Sequence, residues 1–354
     1  MHAARTDGAR IVPLLFAIVL LCLVGARAEQ FAGEPWLEGA SVVDNGTSSA
    51  IPSRLHTATQ FQDFPADFGD GKTYRLEMAT LPVFGDMGQS WNGAMAYTLD
   101  GRTQLSVAGK VETIGDIQSR PLLNGSREDR LNDPGFRPVA CDGCTMYTDN
   151  VYMTSLNLIR VFRTEFPRID ISSREIPIEF GLGVTAKYYL EELVQPDVTS
   201  GDFLLQNMNM DLGASMKFLW GWDPISKVSD RDIKVQFSGL ELLPTRQQTT
   251  IDDQVGYEDM TYRWRISADW EEAFPDWQSI FIVGFTQKSE GSSIPAFGAE
   301  WDFKEMLFLR GGFDDDFISA GASMAWRWIS FHYAFRHHAL GNSLYQVSGQ
   351  VTWP

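Results

Sequence analysis

Few residues in this chain have the types and spacing that chemistry needs. Cys141-Asp142-Gly143-Cys144 sets two thiols three positions apart in a stretch rich in Pro and Gly. Three uses compete for that spacing. A zinc half-site would need a second pair, which the sequence lacks. A redox dithiol normally opens a helix in a thioredoxin-like unit. A short disulfide that stiffens an exported loop is the use expected here. Asp269, Glu271, Glu272 and Asp276 flank Trp270 and Trp277, and carboxylates beside aromatics can cleave glycosides. They straddle the end of an alternating run, so solvated acidic positions are expected. Asp314-Asp315-Asp316 has oxygen donors for a hard cation, but a charged turn is the simpler reading. His337 and His338 are adjacent on a strand-like run and point opposite ways, so they do not share a metal. No Ser-His-Asp order, phosphate loop or dinucleotide fingerprint is present. The chain is read as a non-enzyme, with no catalytic residue, cofactor or metal site.

The first 28 residues read as a cleaved signal peptide. Arg5 and Arg10 precede an uncharged apolar run from Ile11 to Val24, and Ala26-Arg27-Ala28 follows as a small-x-small site. That run is short of the roughly 20 residues a membrane helix needs. Cys22 follows Leu21, whereas a lipid-attachment cysteine wants a small residue before it. Cleavage removes three arginines and one aspartate, which moves the formal charge from −17 to −19. Nucleic acid needs a basic footprint, so it is excluded as a partner. Acidic, solvated extracellular loops fit such a charge.

Period-two alternation dominates the rest. Tyr262, Trp264, Ile266, Ala268 and Trp270 alternate with Arg263, Arg265, Ser267 and Asp269. Met208 to Phe218 and Ile176 to Leu190 carry similar stripes at even positions. A helix cannot hold apolar residues at i, i+2 and i+4 over such distances. Runs near 74–81, 91–99, 103–114, 151–163, 176–190, 204–220, 232–239, 262–270, 279–288, 296–303, 305–313, 317–326, 329–337 and 344–353 give about fourteen strands. Asp100-Gly101 is a hairpin signal, and the parity switch near Arg327 demands a turn. Lys304-Glu305 and Ala339 to Asn342 read as tight hairpins of the periplasmic side. Glu112 to Asn150, 191–202, 221–231, 243–260 and 288–295 read as longer links. A barrel of this size is too wide for side chains to fill, so its lumen is wet and its apolar stripe faces lipid.

The expected fold is therefore all-β: one transmembrane, antiparallel, up-and-down β-barrel of about fourteen strands after a signal peptide. Residues 1–28 form the signal. Residues 29–72 form a leader, plug or periplasmic arm. Residues 73–354 form the barrel, with a long loop at 113–150. Arg263, Arg265, Glu300, Asp302, His332 and Arg336 are candidate lumen residues, the first four in facing order along neighbouring runs. Trp91, Trp220, Trp270, Trp326, Trp328 and Trp353 lie near strand ends, as an interfacial aromatic girdle would.

The C-terminal section carries a resemblance. Phe297-Gly298-Ala299-Glu300-Trp301 is followed by Phe308-Leu309-Arg310-Gly311-Gly312-Phe313-Asp314-Asp315 and Ala320-Gly321-Ala322. Ile329 to Arg336 and Leu340-Gly341-Asn342-Ser343 complete it, and Phe180 to Tyr188 looks like another family strand. This resembles the PorV-like branch of the FadL-type outer-membrane barrels. His332 stands where an Asp is usual and Ser343 near a usual Thr, and the family's early Asn-Pro-Ala-Gly motif is missing. The resemblance implies a fourteen-stranded barrel that imports hydrophobic molecules or serves protein secretion and surface attachment. Expected partners are outer-membrane lipid and either a small hydrophobic ligand or secretion machinery. A soluble exported β-sandwich is the weaker alternative.

Overall fold

The computed structural model describes residues 41–68, 73–83, 88–118, 146–171, 174–194, 203–221, 229–243, 246–251, 254–259, 262–289, 293–315, 317–338 and 343–354. The expected signal peptide at 1–28, residues 29–40, Cys141, Cys144 and Asp316 lie outside them.

Fourteen antiparallel strands close into one barrel. They are β1 (Tyr74–Val83), β2 (Gly88–Thr98), β3 (Thr103–Gln118), β4 (Met146–Ile171), β5 (Arg174–Val194), β6 (Phe203–Trp220) and β7 (Arg231–Leu240). After a separate hairpin of β8 (Arg246–Ile251) and β9 (Gln254–Asp259), the ring continues with β10 (Arg263–Phe274), β11 (Ser279–Ser289) and β12 (Ser293–Phe303). It ends with β13 (Leu307–Phe313), β14 (Phe317–Trp326), β15 (Ile329–His338) and β16 (Ser343–Trp353). Each barrel strand pairs with its sequence neighbours in the ring, and β16 returns to β1 in the register Tyr74↔Trp353 to Thr80↔Val347. Closure pairs every edge, which is what an apolar surrounding phase demands of backbone groups.

Local chemistry sets the turns. Gly101 takes φ +70° and the Asp100 carboxylate accepts from the amides of Arg102 (2.9 Å) and Thr103 (2.7 Å), joining β2 to β3. Arg327 sits at φ +57° in the two-residue link between Trp326 and Ile329, at the parity switch. Lys304 and Glu305, at φ +58° and +55°, turn β12 into β13.

Three link readings need correction. The long loop is not 113–150, because β3 runs to Gln118 and β4 starts at Met146, with Ile117 opposite Tyr147. Its pairing passes through a register irregularity after Ile114, which hides it from an alternation search. The turn at Lys304-Glu305 and the facing strand ends His338 and Ser343 lie at opposite ends of the barrel, since three strands separate them. The strand ends Trp220 and Arg231, which bound the expected link 221–231, likewise lie at the short-turn end, with the turns 99–102, 275–278, 304–306 and 327–328. The strand ends Gln118 and Met146, Val194 and Phe203, and Leu240 and Arg263 mark the other end, called here the loop end. Both ends of the ring's chain, before β1 and after β16, fall at the short-turn end.

Burial is inverted relative to a water-soluble fold. Leu182 (54% exposed), Met208, Phe237, Ile266, Phe331 and Trp326 point outward, while Glu77 and Glu300 (both 0%), Asn157, Asp211 and Gln346 are buried inside. A soluble sandwich would do the reverse.

Candidate functional site

The strands enclose a polar lumen, and segment 41–68 occupies its middle. This segment has no alternation. It holds one short helix, α1 (Val42–Asn45), capped by Ser41, and a 3-10 turn at Gln60–Gln62. It is knit around Asp44, whose carboxylate accepts from the amide of Ser53 (3.1 Å) and the side chain of Gln60 (3.4 Å). Ser41 N in turn donates to Asp63 (3.3 Å). Burial, then the nearby Asp63 carboxylate, push the Asp44 carboxyl well above its usual range.

The wall holds the segment largely through its main chain. On one side, Glu300 accepts from Arg54 N (3.0 Å), Gln350 from Ala58 N (2.8 Å) and Glu77 from Thr59 N (2.9 Å). Arg75 donates to the carbonyl of His56 (2.7 Å), Arg265 to that of Asp63 (2.9 Å) and Asn157 to that of Pro65 (3.2 Å). Ser319, Thr286 and Ser215 donate to the carbonyls of Gly46, Ala50 and Ala66. These nine positions are served from eight strands around the ring. Buried main-chain groups away from water must find such partners.

Close approach is made possible by two glycine seams. Gly284, Gly298 and Gly312 are cross-strand partners on β11, β12 and β13, spaced fourteen residues apart in the chain. Cβ atoms there would collide with Ile51 and Thr47. Gly183 and Gly213, paired across β5 and β6, face Pro65 and Ala66. A Cβ on Gly213 would lie 2.7 Å from Ala66 N, and one on Gly183 would run into the Pro65 carbonyl. Phe61 packs on the small inward residues Ala94, Ala96 and Ala108.

Charge completes the fit. Glu300 and Arg310, opposite each other on β12 and β13, pair at 2.6 Å with both side chains fully buried, and Ser53 of the segment donates to Glu300 at 2.5 Å. Arg54 pairs with Glu271 and with Asp302 (3.4 Å). Asp67 pairs with Lys234 and with His56 (3.2 Å). Burial opposes ionisation of Asp67, but the Lys234 ammonium and His56 more than offset it and hold the carboxyl well below the usual range.

The signs of Asp67 and Asp44 make an acid test. A carboxylate depressed on folding stabilises above its unfolded pKa of about 4 and loses that contribution in stronger acid. A raised carboxylate such as Asp44 is instead relieved as pH falls. Single-channel conductance of the reconstituted protein is therefore expected to stay low from neutral pH to about pH 4 and to rise only below it. Asp67→Asn should weaken the hold already at neutral pH and remove the acid limb.

Arg263 faces Glu241 (3.5 Å), which also accepts from Lys187 (3.0 Å) and the Tyr189 hydroxyl (2.8 Å) toward the loop end. Arg265 holds the Asp63 carbonyl and lies 5.1 Å over the Phe64 ring. His332 is buried between Ser323 and Ser330, and Arg336 lies 4.0 Å over the Phe317 ring, with Asp314 at 3.9 Å. Arg263 and Arg265 do not meet Glu300 and Asp302. β11 separates their strands, so each pair finds other partners, correcting the facing order expected of them. Among the tryptophans, Trp220, Trp326 and Trp353 end their strands at the short-turn end, Trp328 sits in a turn there and Trp270 lies nearby on β10. Trp91 is near the loop-end start of β2. Trp91, Trp326, Trp328 and Trp353 are exposed on the barrel, while Trp220 and Trp270 are half-buried.

Asp269 and Glu271 line a cavity of about 460 Å³ beneath the segment at the short-turn end. Asp67, Asp232, Asp302 and Glu305 share it with Arg54, Lys217, Lys234 and Arg327. Asp314 accepts from the amide of Phe317 (2.8 Å), and His337 hydrogen-bonds Ser343 (3.0 Å) at the far end of β15. Among the described residues, no group of three His, Cys, Asp or Glu side chains is arranged for a metal.

Sequence reasoning missed the segment's contacts and the seams. The even spacing of Gly284, Gly298 and Gly312 was the available signal.

A closed, fourteen-stranded wall that is polar within and apolar without has the architecture of outer-membrane barrels. Its structural neighbours are FadL-type and other outer-membrane β-barrels. A FadL homologue of Pseudomonas aeruginosa aligns at 12% identity over 88% of this chain and 97% of its own, with a TM-score of 0.48. A mutant of the TodX monoaromatic hydrocarbon channel aligns at 9% identity over 89% and 98%, also at 0.48. The KdgM porin aligns at 8% identity over 80% and 99%, at 0.34. No protein-family model matches the chain, and no curated protein matches it in sequence.

Proposed function

We propose that this chain is a bacterial outer-membrane channel or transporter for small or hydrophobic compounds, exported by its signal peptide and plugged by segment 41–68. The inverted burial carries the reading: large apolar side chains cover the outer wall while carboxylates and guanidinium groups line the inside. Such an outer surface is stable only against an apolar phase, and the lipid of the outer membrane supplies one. The short-turn end then faces the periplasm, and the tryptophans there sit at its headgroup level.

The test is membrane fractionation with heat-modifiable gel mobility, followed by planar-bilayer recording. The protein should partition with outer membranes, shift on boiling and open channels when the plug is loosened. Recovery in buffer without detergent defeats the proposal. A finer check uses the lipid face. Leu182→Arg, on the outward side of β5, is expected to cost about 2–4 kcal/mol in bilayer unfolding if it lies near the midplane.

One observation favours a second reading. A lumen filled by its own chain suits a non-conducting scaffold for secretion or surface assembly, as the PorV-like resemblance implies. A barrel that stays silent with the plug loosened and co-purifies with a partner supports that reading over transport.

A further inference from the structure

We propose that the lumen is a polypeptide receptor, with segment 41–68 as its resident ligand and a matching segment of another chain able to take its place. An ordinary protein interior recognises side chains by apolar shape. This wall instead binds main-chain atoms at nine positions, using carboxylate, amide, guanidinium and hydroxyl groups from eight strands. Main-chain donors and acceptors are common to every polypeptide, so that part of the recognition is general, while the side-chain contacts of Ser53, Arg54 and Asp67 make the whole depend on sequence.

Selectivity comes from the seams. Gly312 and Gly298 admit Thr47 against the wall, and Gly183 and Gly213 admit Pro65 and Ala66. A competing segment therefore needs small or proline residues at two points separated by about the same length of chain. The cavity of about 460 Å³ under Arg54 and Asp67 gives such a segment access from the short-turn end. The ligand class is thus an unfolded polypeptide stretch, rich in small and polar residues, arriving on the side where the chain enters β1.

The experiment keeps the full chain. A protease recognition site is placed at 69–72, between the segment and β1, and cut after purification. Fluorescent synthetic peptide 41–68 is then added, with a shuffled peptide of the same composition as competitor. Heat-modifiable mobility checks that the barrel is intact.

The expected result is saturable exchange of labelled peptide for the cut segment, with no competition from the shuffled peptide. Glu77→Gln and Asn157→Ala should each weaken peptide binding, the first by about tenfold because it strips the charge from the acceptor of the Thr59 amide and hydroxyl. Failure of the cut segment to exchange against a large excess of peptide overturns the proposal. So does equal competition by the shuffled peptide, or unchanged affinity in both variants. The inference rests on the plugged-barrel reading but not on the cargo. A barrel that conducts yet never exchanges its segment sinks the receptor alone, whereas a protein that is no membrane barrel fails the mobility check first.

Discussion

Gly183→Val is expected to turn a nearly silent barrel into a freely conducting one. The wall at Gly183 stands against the main chain of Pro65, where even one added carbon has no room. Neither side can yield cheaply. Gly183 is held in register between β4 and β6, with Ile159 and Gly213 as partners. Pro65 is rigid at φ, and its carbonyl is already bound by Asn157. Valine is a good strand residue, so the wall itself should close normally. What must move is segment 41–68. Bilayer recording should show a large rise in conductance, with heat-modifiable mobility retained. Gly93→Val is the control, because a Cβ there meets nothing closer than 4.0 Å. Equal conductance in the two variants would mean that the segment does not obstruct the pore.

The second large effect is on stability. Glu300→Ala should destabilise the folded barrel by about 3–5 kcal/mol, the usual cost of stranding one partner of a buried pair. Arg310 would be left charged and fully buried, keeping only its bonds to Ser323 and Ser53. The amide of Arg54 and the hydroxyl of Ser53 would lose their acceptor as well. Glu300→Gln keeps the shape and two of the acceptor roles, so its loss should be smaller. Urea unfolding in bilayers gives the comparison. An alanine variant as stable as the parent would mean that water reaches Arg310 and the pair is not sealed.

The wall was legible because its cause is local. Each strand alternates for the same reason, and the turns at Asp100-Gly101 and Arg327 carry their own signals. The span from Thr164 to Ile171 escaped because its pairing passes through a register shift before Ile169, breaking the rhythm. Segment 41–68 was illegible for a deeper reason. Its conformation is dictated by Glu77, Gln350, Arg265 and the seams, which are far away in the chain. Only its composition hinted at this: Ser, Thr, Asp, Asn and Gln are crowded there, and a polar lumen can solvate them. The partners of Arg263 and Asp302 were hidden likewise. Period two says which way a side chain points, but not what waits opposite. Arg263 meets Glu241, beyond the end of β7, and Asp302 meets Arg54 of the segment.

The pairing of β16 with β1 means that the wall has no last strand in the energetic sense. In an open sheet, a deletion at the carboxyl terminus trims one border and the remainder survives. Here, removing residues 343–353 would bare β15 and β1 together, leaving two rows of amides and carbonyls to hydrocarbon. Fraying at the chain's end is therefore not a minor local loss, and the ring should melt as a whole or not at all.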